Sequence, residues 1–173
     1  MALPVSLDDA KRQLKFTDAS QDELVADYIL DAASWVEEYT GHLLEPREIT
    51  ERFASFTRLR LSGWPIVGGP VAVKTLTSTG ETVVDGAWLY AVSRPGSVLP
   101  ASGTHWPRLL DGEMVEVSYT AGYADPADVP RNFRRAMLLL ITAYETDREG
   151  GEVFQKAEAT AKRLCRQKKP YRV

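Results

Sequence analysis

SQDELVADYILDAASWVEEYTG, Ser20 to Gly41, is the stretch whose reading decides the fold. Val25, Tyr28, Ile29, Ala32, Val36 and Tyr39 recur at three- and four-residue spacing, which puts them on one side of a helix. Leu24 and Trp35 widen that stripe. Ser20 with Glu23 three residues on predicts a capping box, in which hydroxyl and carboxylate each take a free amide. Gly41 predicts a left-handed end at no steric cost. About eight apolar side chains, at roughly 1.5–3 kcal/mol each when buried, make this a core helix. The other face carries Asp22, Glu23, Asp27, Asp31, Glu37 and Glu38, with no Lys or Arg between Ser20 and Thr40. One face anchors the fold. The other meets water or something positive.

A chain of 173 residues suits one domain with an inserted lobe. Its 44% apolar and 26% charged residues are those of a soluble globular protein that builds its own core. The net charge of −3 argues against a general polyanion binder. That charge is unevenly placed. Residues 1–45 hold ten acids against three bases, a net of −7. Residues 156–173 hold seven bases (Lys156, Lys162, Arg163, Arg166, Lys168, Lys169, Arg172) against Glu158, a net of +6. Opposite charge at the two ends can serve an interface. Cys165 is the only cysteine, so no internal disulfide is possible and a reducing compartment is expected. MALPVSLDDAKRQL lacks an apolar signal core, and the longest apolar run, Ala136 to Ile141, is far too short for a bilayer. A soluble, cytoplasmic product is expected.

Before the long helix, SLDDAKRQL (6–14) predicts a short one. Ser6 can cap it, Asp8 and Asp9 suit its first turn, and Leu7, Ala10 and Leu14 share a face. After Gly41 the pattern changes. Residues 47–124 are rich in β-branched and aromatic residues with turn signals between them. REITERFA and TRLRL alternate, with Phe53, Leu59 and Leu61 on one side. Trp64-Pro65 and Gly68-Gly69-Pro70 break the pattern, and Val71, Val73 and Leu76 follow. Thr79-Gly80-Glu81 and Asp85-Gly86 read as hairpin turns around TVV. Trp88, Tyr90 and Val92 alternate, as do Val115, Val117 and Tyr119 against Glu116 and Ser118. Five to seven short, mostly antiparallel strands are expected. The chain then returns to helix. Arg131 to Arg148 carries Phe133, Met137, Leu140, Ile141 and Tyr144 on one face, and Ala136, Leu138, Leu139 and Ala143 make it apolar nearly all round. Such a helix is central, or is buried again by a partner. Gly150-Gly151 stops it. A last helix, about 152–167, has a stripe of Phe154, Ala157, Ala161, Leu164 and Cys165 and the four-apart pairs Glu152–Lys156 and Glu158–Lys162. The fold class is therefore α+β. Two N-terminal and two C-terminal helices form a bundle (1–46 and 125–173), with an antiparallel β-rich lobe (47–124) inserted.

No catalytic, cofactor-binding or metal-binding constellation stands out. His42 and His105 lie in different segments without a ligand partner at helical spacing, and read as packing or surface residues. Cys165 lies on an apolar stripe and reads as a buried, inert thiol. Asp8-Asp9 and Glu37-Glu38 are adjacent on helices, so each pair diverges. Gly68-Gly69-Pro70 lacks the Lys-Ser/Thr of a phosphate loop. Arg131, Arg134 and Arg135 read as a solvated first turn, with phosphate contact as the alternative. The basic C-terminal cluster is the strongest polar signal. It is either a solvated helix face or a docking element for an acidic surface, with Tyr171 beside Arg172 as an anchor pair.

The order of these elements resembles the head–tail connector (adaptor) proteins of tailed bacteriophages, prophages and gene-transfer agents, in the form with a β-rich insert. The stretches that carry the resemblance are SLDDAKRQL (6–14), Asp22 to Leu44 ending in WVEEYTGHLL, LRLSGWPIVGGPVAVKTLTS, VEVSYTAGYADPADVPRNFRRAMLLLITAYETDRE and the closing PYR. The combination E-x-Y-T-G, then Y-x-A-G-Y, then V-P-x-x-x-x-x-A is its most specific part. The resemblance implies a structural virion protein without a catalytic site. It implies a ring, typically twelvefold, below the portal protein, joined to the next head-completion (stopper) or tail protein, with double-stranded DNA passing through the lumen. Its place would be the head–tail junction of a particle assembled in the bacterial cytoplasm, without membrane or cofactor.

A ring of identical subunits needs a heterologous contact. Asp27, Asp31 and Glu38 on the opening helix and Arg163 and Arg166 on the last one are candidates for its two halves. Alternatively the acidic face repels passing DNA. Lys168, Lys169, Pro170, Tyr171 and Arg172 are candidates for docking to the portal. A nucleic-acid-binding module built on the basic C-terminal helix is the competing reading.

Overall fold

A computed structural model of the protein describes residues 3–67, 71–78, 80–90 and 95–166. The chain divides into two compact units, Met1–Glu45 with Tyr123–Val173, and Pro46–Gly122.

The first unit holds four helices: α1 (Leu7–Leu14), α2 (Asp22–Thr40), α3 (Arg131–Thr146) and α4 (Glu152–Cys165). A capping box does form, but on α1. The Asp9 amide donates to Ser6 Oγ at 3.1 Å, and the Ser6 amide donates to Asp9 Oδ2 at 3.3 Å. The box expected at Ser20 and Glu23 does not form, because α2 begins one residue past Gln21. The amide and hydroxyl of Ser20 both donate to Asp18 Oδ1 instead. A turn two residues long competes for the same donors and wins. Gly41 ends α2 as expected, at φ 62°, its amide donating to the Glu37 carbonyl at 2.6 Å.

Helix α3 is central and packs against α1, α2 and α4. Val25, Ile29, Ala32 and Val36 of α2 share one buried cluster with Phe133, Met137, Leu140 and Ile141 of α3. Rings continue the contact across three helices: Tyr28 lies 6.0 Å from Tyr144, which stacks on Phe154 of α4 at 5.6 Å. Trp35 stacks on Tyr39 and donates from Nε1 to Glu158 Oε1 of α4 at 3.4 Å. The α4 stripe is as read, with Ala161 and Cys165 buried and Phe154, Ala157 and Leu164 half-buried. Both four-apart ion pairs form, Lys156–Glu152 at 2.6 Å and Lys162–Glu158 at 2.7 Å. Burial pushes the Cys165 thiol up to about 11, so it is protonated at neutral pH.

The α3–α4 turn hangs on Asp147. Its carboxylate accepts the Gly151 amide at 3.0 Å and the Phe154 amide at 3.1 Å, satisfying donors that the start of α4 leaves free. A Cβ on Gly151 would stand 3.1 Å from that carboxylate, so the close approach favours glycine.

The second unit holds seven strands among the described residues: β1 (Arg47–Phe53), β2 (Arg60–Leu61), β3 (Ala72–Thr77), β4 (Gly80–Val83), β5 (Ala87–Tyr90), β6 (Gly96–Pro100) and β7 (Met114–Ala121). They form two antiparallel sheets, in the orders β1-β7-β3-β4 and β2-β6-β5. Val115, Val117 and Tyr119 of β7 are buried, on the face their alternation predicts. Thr77 pairs with Gly80, so the β3–β4 turn is the expected hairpin. Asp85-Gly86 is not one. It passes the chain from β4 in one sheet to β5 in the other, with Gly86 at φ 78°. Turn chemistry specifies a reversal, not which strand will be the partner. Gly68-Gly69-Pro70, Val92 and the side chains of Trp88 and Tyr90 lie outside the described residues.

Tyr119 ties this unit together. Its oxygen accepts the Gly63 amide at 2.8 Å and its proton goes to Glu51 Oε1, which also accepts the Ser62 amide at 2.9 Å. Burial, then the Glu51 bond, holds its hydroxyl well above the ordinary tyrosine range. Glycine suits position 63, since a Cβ there would lie 2.9 Å from the Tyr119 hydroxyl that its amide bonds and 3.1 Å from Ala121 Cβ.

Tyr119→Phe leaves the Gly63 amide buried without its acceptor, at a cost of about 1–3 kcal/mol. Hydrogen exchange should show that amide losing protection while Leu14 in α1 keeps its own. Hydrogen bonds from the Phe154 and Gly151 amides hold the Asp147 carboxyl below its ordinary range. A depressed folded value means stability present above the unfolded carboxylate range, about pH 4, and lost as pH falls through the folded value. The melting-temperature gap between wild type and Asp147→Asn should be widest near neutral pH and shrink as pH falls below the ordinary carboxylate range.

Candidate assembly interface

Asp27, Asp31 and Glu38 are all exposed on α2. At 3.6 residues per turn they fall in one stripe with exposed Glu23 and Ser34, opposite the buried Val25, Ile29 and Val36. Leu30 lies at the stripe's margin, 57% exposed. The other two acids have jobs inside the unit. Asp22 pairs with Lys11 of α1 at 2.6 Å. Glu37 Oε1 accepts the Leu44 amide at 2.7 Å, just past the helix end.

Arg163 and Arg166 are exposed at the C-terminal end of α4. Among the described residues, none of Asp27, Asp31, Glu38, Arg163 and Arg166 makes an intrachain salt bridge. The two sets are not brought together within one chain. Lys168, Lys169, Pro170, Tyr171 and Arg172 lie outside the described residues.

A second basic surface lies on α3. Arg131, Arg134, Arg135, Leu138 and Leu139 line an open groove of about 550 Å³, with Gln13 of α1 as its wall. Gln13 is held there by its Nε2, which donates to Thr142 Oγ1 at 3.2 Å. Arg134 pairs with Asp9 at 2.8 Å, and Asp9 also takes Arg12 at 2.6 Å. Arg131 and Arg135 make no salt bridge among the described residues. Read alone, the three arginines are a first turn. The groove needs α1 beside them, which only the fold supplies. One hint was legible, the apolar Leu138-Leu139 pair on the side away from the core.

The three-part motif combination turns out to be a structural joint. In E-x-Y-T-G, Glu37 caps the following turn, Thr40 Oγ1 donates to the Val36 carbonyl at 2.7 Å and Gly41 is left-handed. In Y-x-A-G-Y, the last residue is Tyr123. Its hydroxyl meets His42 Nδ1 at 2.8 Å, and its amide donates to the Leu43 carbonyl at 3.2 Å. The His42 ring is buried, stacked on Tyr123 and edge-on to Phe133 at 5.1 Å. In V-P-x-x-x-x-x-A, Val129 and Ala136 are buried in the same cluster. These residues clamp the two points where the chain leaves and re-enters the helical unit. His105 is exposed. No three His, Cys, Asp or Glu residues gather as a metal site among the described residues. Among them, too, no helix is long and apolar enough to cross a membrane.

Residues 4–59 match the phage gp6-like head-tail connector protein family. That segment holds α1, α2 and β1, including the acidic stripe and its structural acids. The likeness in fold covers the whole chain. A chain in the neck of an empty gene transfer agent particle, treated with C6 symmetry, aligns over 100% of this protein and 94% of its own length at 21% identity, with a TM-score of 0.79. A chain of the native gene transfer agent virion aligns over the same shares at 22% identity and 0.76. One from the native neck, treated with C12 symmetry, gives 22% and 0.74. No curated relative matches the chain significantly. The α+β fold of those neck chains is the fold of this protein.

Tyr123→Phe removes the hydroxyl that meets His42 and should cost about 1 kcal/mol. A thermal melt followed by the helical signal should shift down accordingly, with the native spectrum unchanged at low temperature.

Proposed function

We propose that this protein is a head–tail connector. It is a structural part of a phage-like particle that forms a ring at the neck, binds the portal protein above and joins the next head-completion or tail protein below. Double-stranded DNA passes through the ring, and the protein works without catalysis. The observation that carries this reading is the whole-chain fold likeness to gene transfer agent neck chains, together with the connector-family match over residues 4–59. The symmetry of those necks supports a ring, twelvefold when assembled.

Two features of the chain suit the role. A ring closes only through a heterologous contact, in which one face of a subunit meets a different face of the next. The acidic stripe of Asp27, Asp31 and Glu38 suits one such half, making no salt bridge among the described residues. Two exposed basic surfaces are available for the other half, Arg163 with Arg166 on α4 and the arginine groove on α3. The Lys168–Arg172 run, with Tyr171 beside Arg172, is the docking element for the portal.

Deleting Lys168–Val173 should abolish binding to purified portal rings. The melting temperature should stay within a degree or two of wild type. Undiminished portal binding by the shortened protein would reject this placement.

A further inference from the structure

Helices α2 and α3 pack core face to core face, so their outward faces point in opposite directions. On α2 the outward face is the acidic stripe, Glu23, Asp27, Asp31 and Glu38, with Leu30 exposed at its edge. On α3 it is the groove of Arg131, Arg135, Leu138 and Leu139. At about 100° per residue, each set centres half a turn from the buried stripe of its own helix. One unit thus carries two surfaces of opposite sign on opposite sides, which is what a head-to-tail contact between copies requires.

The two surfaces match in more than sign. Arg131 and Arg135 are exposed and make no salt bridge among the described residues, while Arg134 pairs with Asp9, a carboxylate it shares with Arg12. The groove therefore offers two open guanidinium groups above a floor of two half-buried leucines. The stripe offers carboxylates four residues apart, the spacing of Arg131 and Arg135, and one exposed leucine beside them. Guanidinium to carboxylate pairing is geometrically demanding and becomes stronger once water is excluded. Leu30 against Leu138 and Leu139 would exclude it.

We propose that the α1–α3 groove is the basic half of the ring contact and that its occupant is the acidic stripe of α2 from a second copy of this chain. This rests on the ring reading above. Arg163 and Arg166 are then left outside the copy-to-copy contact.

Charge reversal tests it, with the full-length protein assembled on purified portal rings and the number of chains per portal counted by light scattering. Asp27→Lys with Asp31→Lys carries basic surfaces on both sides and should not form rings. Arg131→Glu with Arg135→Glu carries acidic surfaces on both sides and should fail equally. An equimolar mixture of the two should form rings again, because the variants can alternate. Unchanged melting temperatures would show that all are folded. Arg163→Glu with Arg166→Glu should form rings as wild type does. Rings formed by the Arg131/Arg135 variant alone, or a mixture rescued by the Arg163/Arg166 variant instead, would overturn the proposal and leave the ring reading standing. Wild type that stays monomeric on the portal would overturn both. Salt-sensitive DNA binding lost with Arg131 and Arg135, while rings still form, would give the groove to nucleic acid and also overturn it.

Discussion

Two helices from opposite ends of the chain bury their apolar stripes against one another, and the rest of the protein depends on that contact. Val25, Ile29, Ala32 and Val36 meet Phe133, Met137, Leu140 and Ile141 across residues 46–122, which form a separate compact unit. Joining segments so far apart in sequence has an entropic cost, but loop-closure entropy grows only with the logarithm of length. A large insert is tolerable when each end of it is secured. Here the ends are secured by local bonds, with Leu43 bound to Tyr123 and His42 packed between Tyr123 and Phe133.

The same contact decides what the helices show to the outside. With their apolar stripes buried together, α2 and α3 present mainly charged faces, with Leu30 at the edge of one and Leu138 and Leu139 in the other. A row of acids on one and arginines on the other then become the opposite surfaces of one body. The acids that would have confused the pattern are consumed locally. Asp22 holds Lys11 and Glu37 caps the chain after Gly41. Asp9 does the same on the basic side by taking Arg134. Among the described residues, Asp27 and Asp31 on one helix and Arg131 and Arg135 on the other stay exposed without a salt bridge.

Particular residues show how far the sequence could be read. The helical stripes of α2, α3 and α4 and the alternation in β7 were legible because burial imposes periods of 3.6 and 2 directly on the residue order. The capping box at Ser20 was misplaced because Asp18, two residues away, competes for the same donors. Asp85-Gly86 was legible as a turn but not as a change of sheet, since strand partners are chosen by contacts far along the chain. The motif E-x-Y-T-G was legible as a signature, and its physical basis, a helix end clamped to Tyr123, was not.

By itself, then, the sequence determined the α+β class, the helical stripes and the acidic face between Ser20 and Thr40. Each of these is carried by residue type and near-neighbour spacing. Only the tertiary structure decided which charges are spent within the chain and which are left over. It alone turned Arg131 and Arg135 from a solvated first turn into the open part of a groove with Gln13 as its wall. The reason is the same in both cases. A charge is neutralised, and a groove is walled, by groups brought near in space, and the partners here lie up to 129 residues away in sequence.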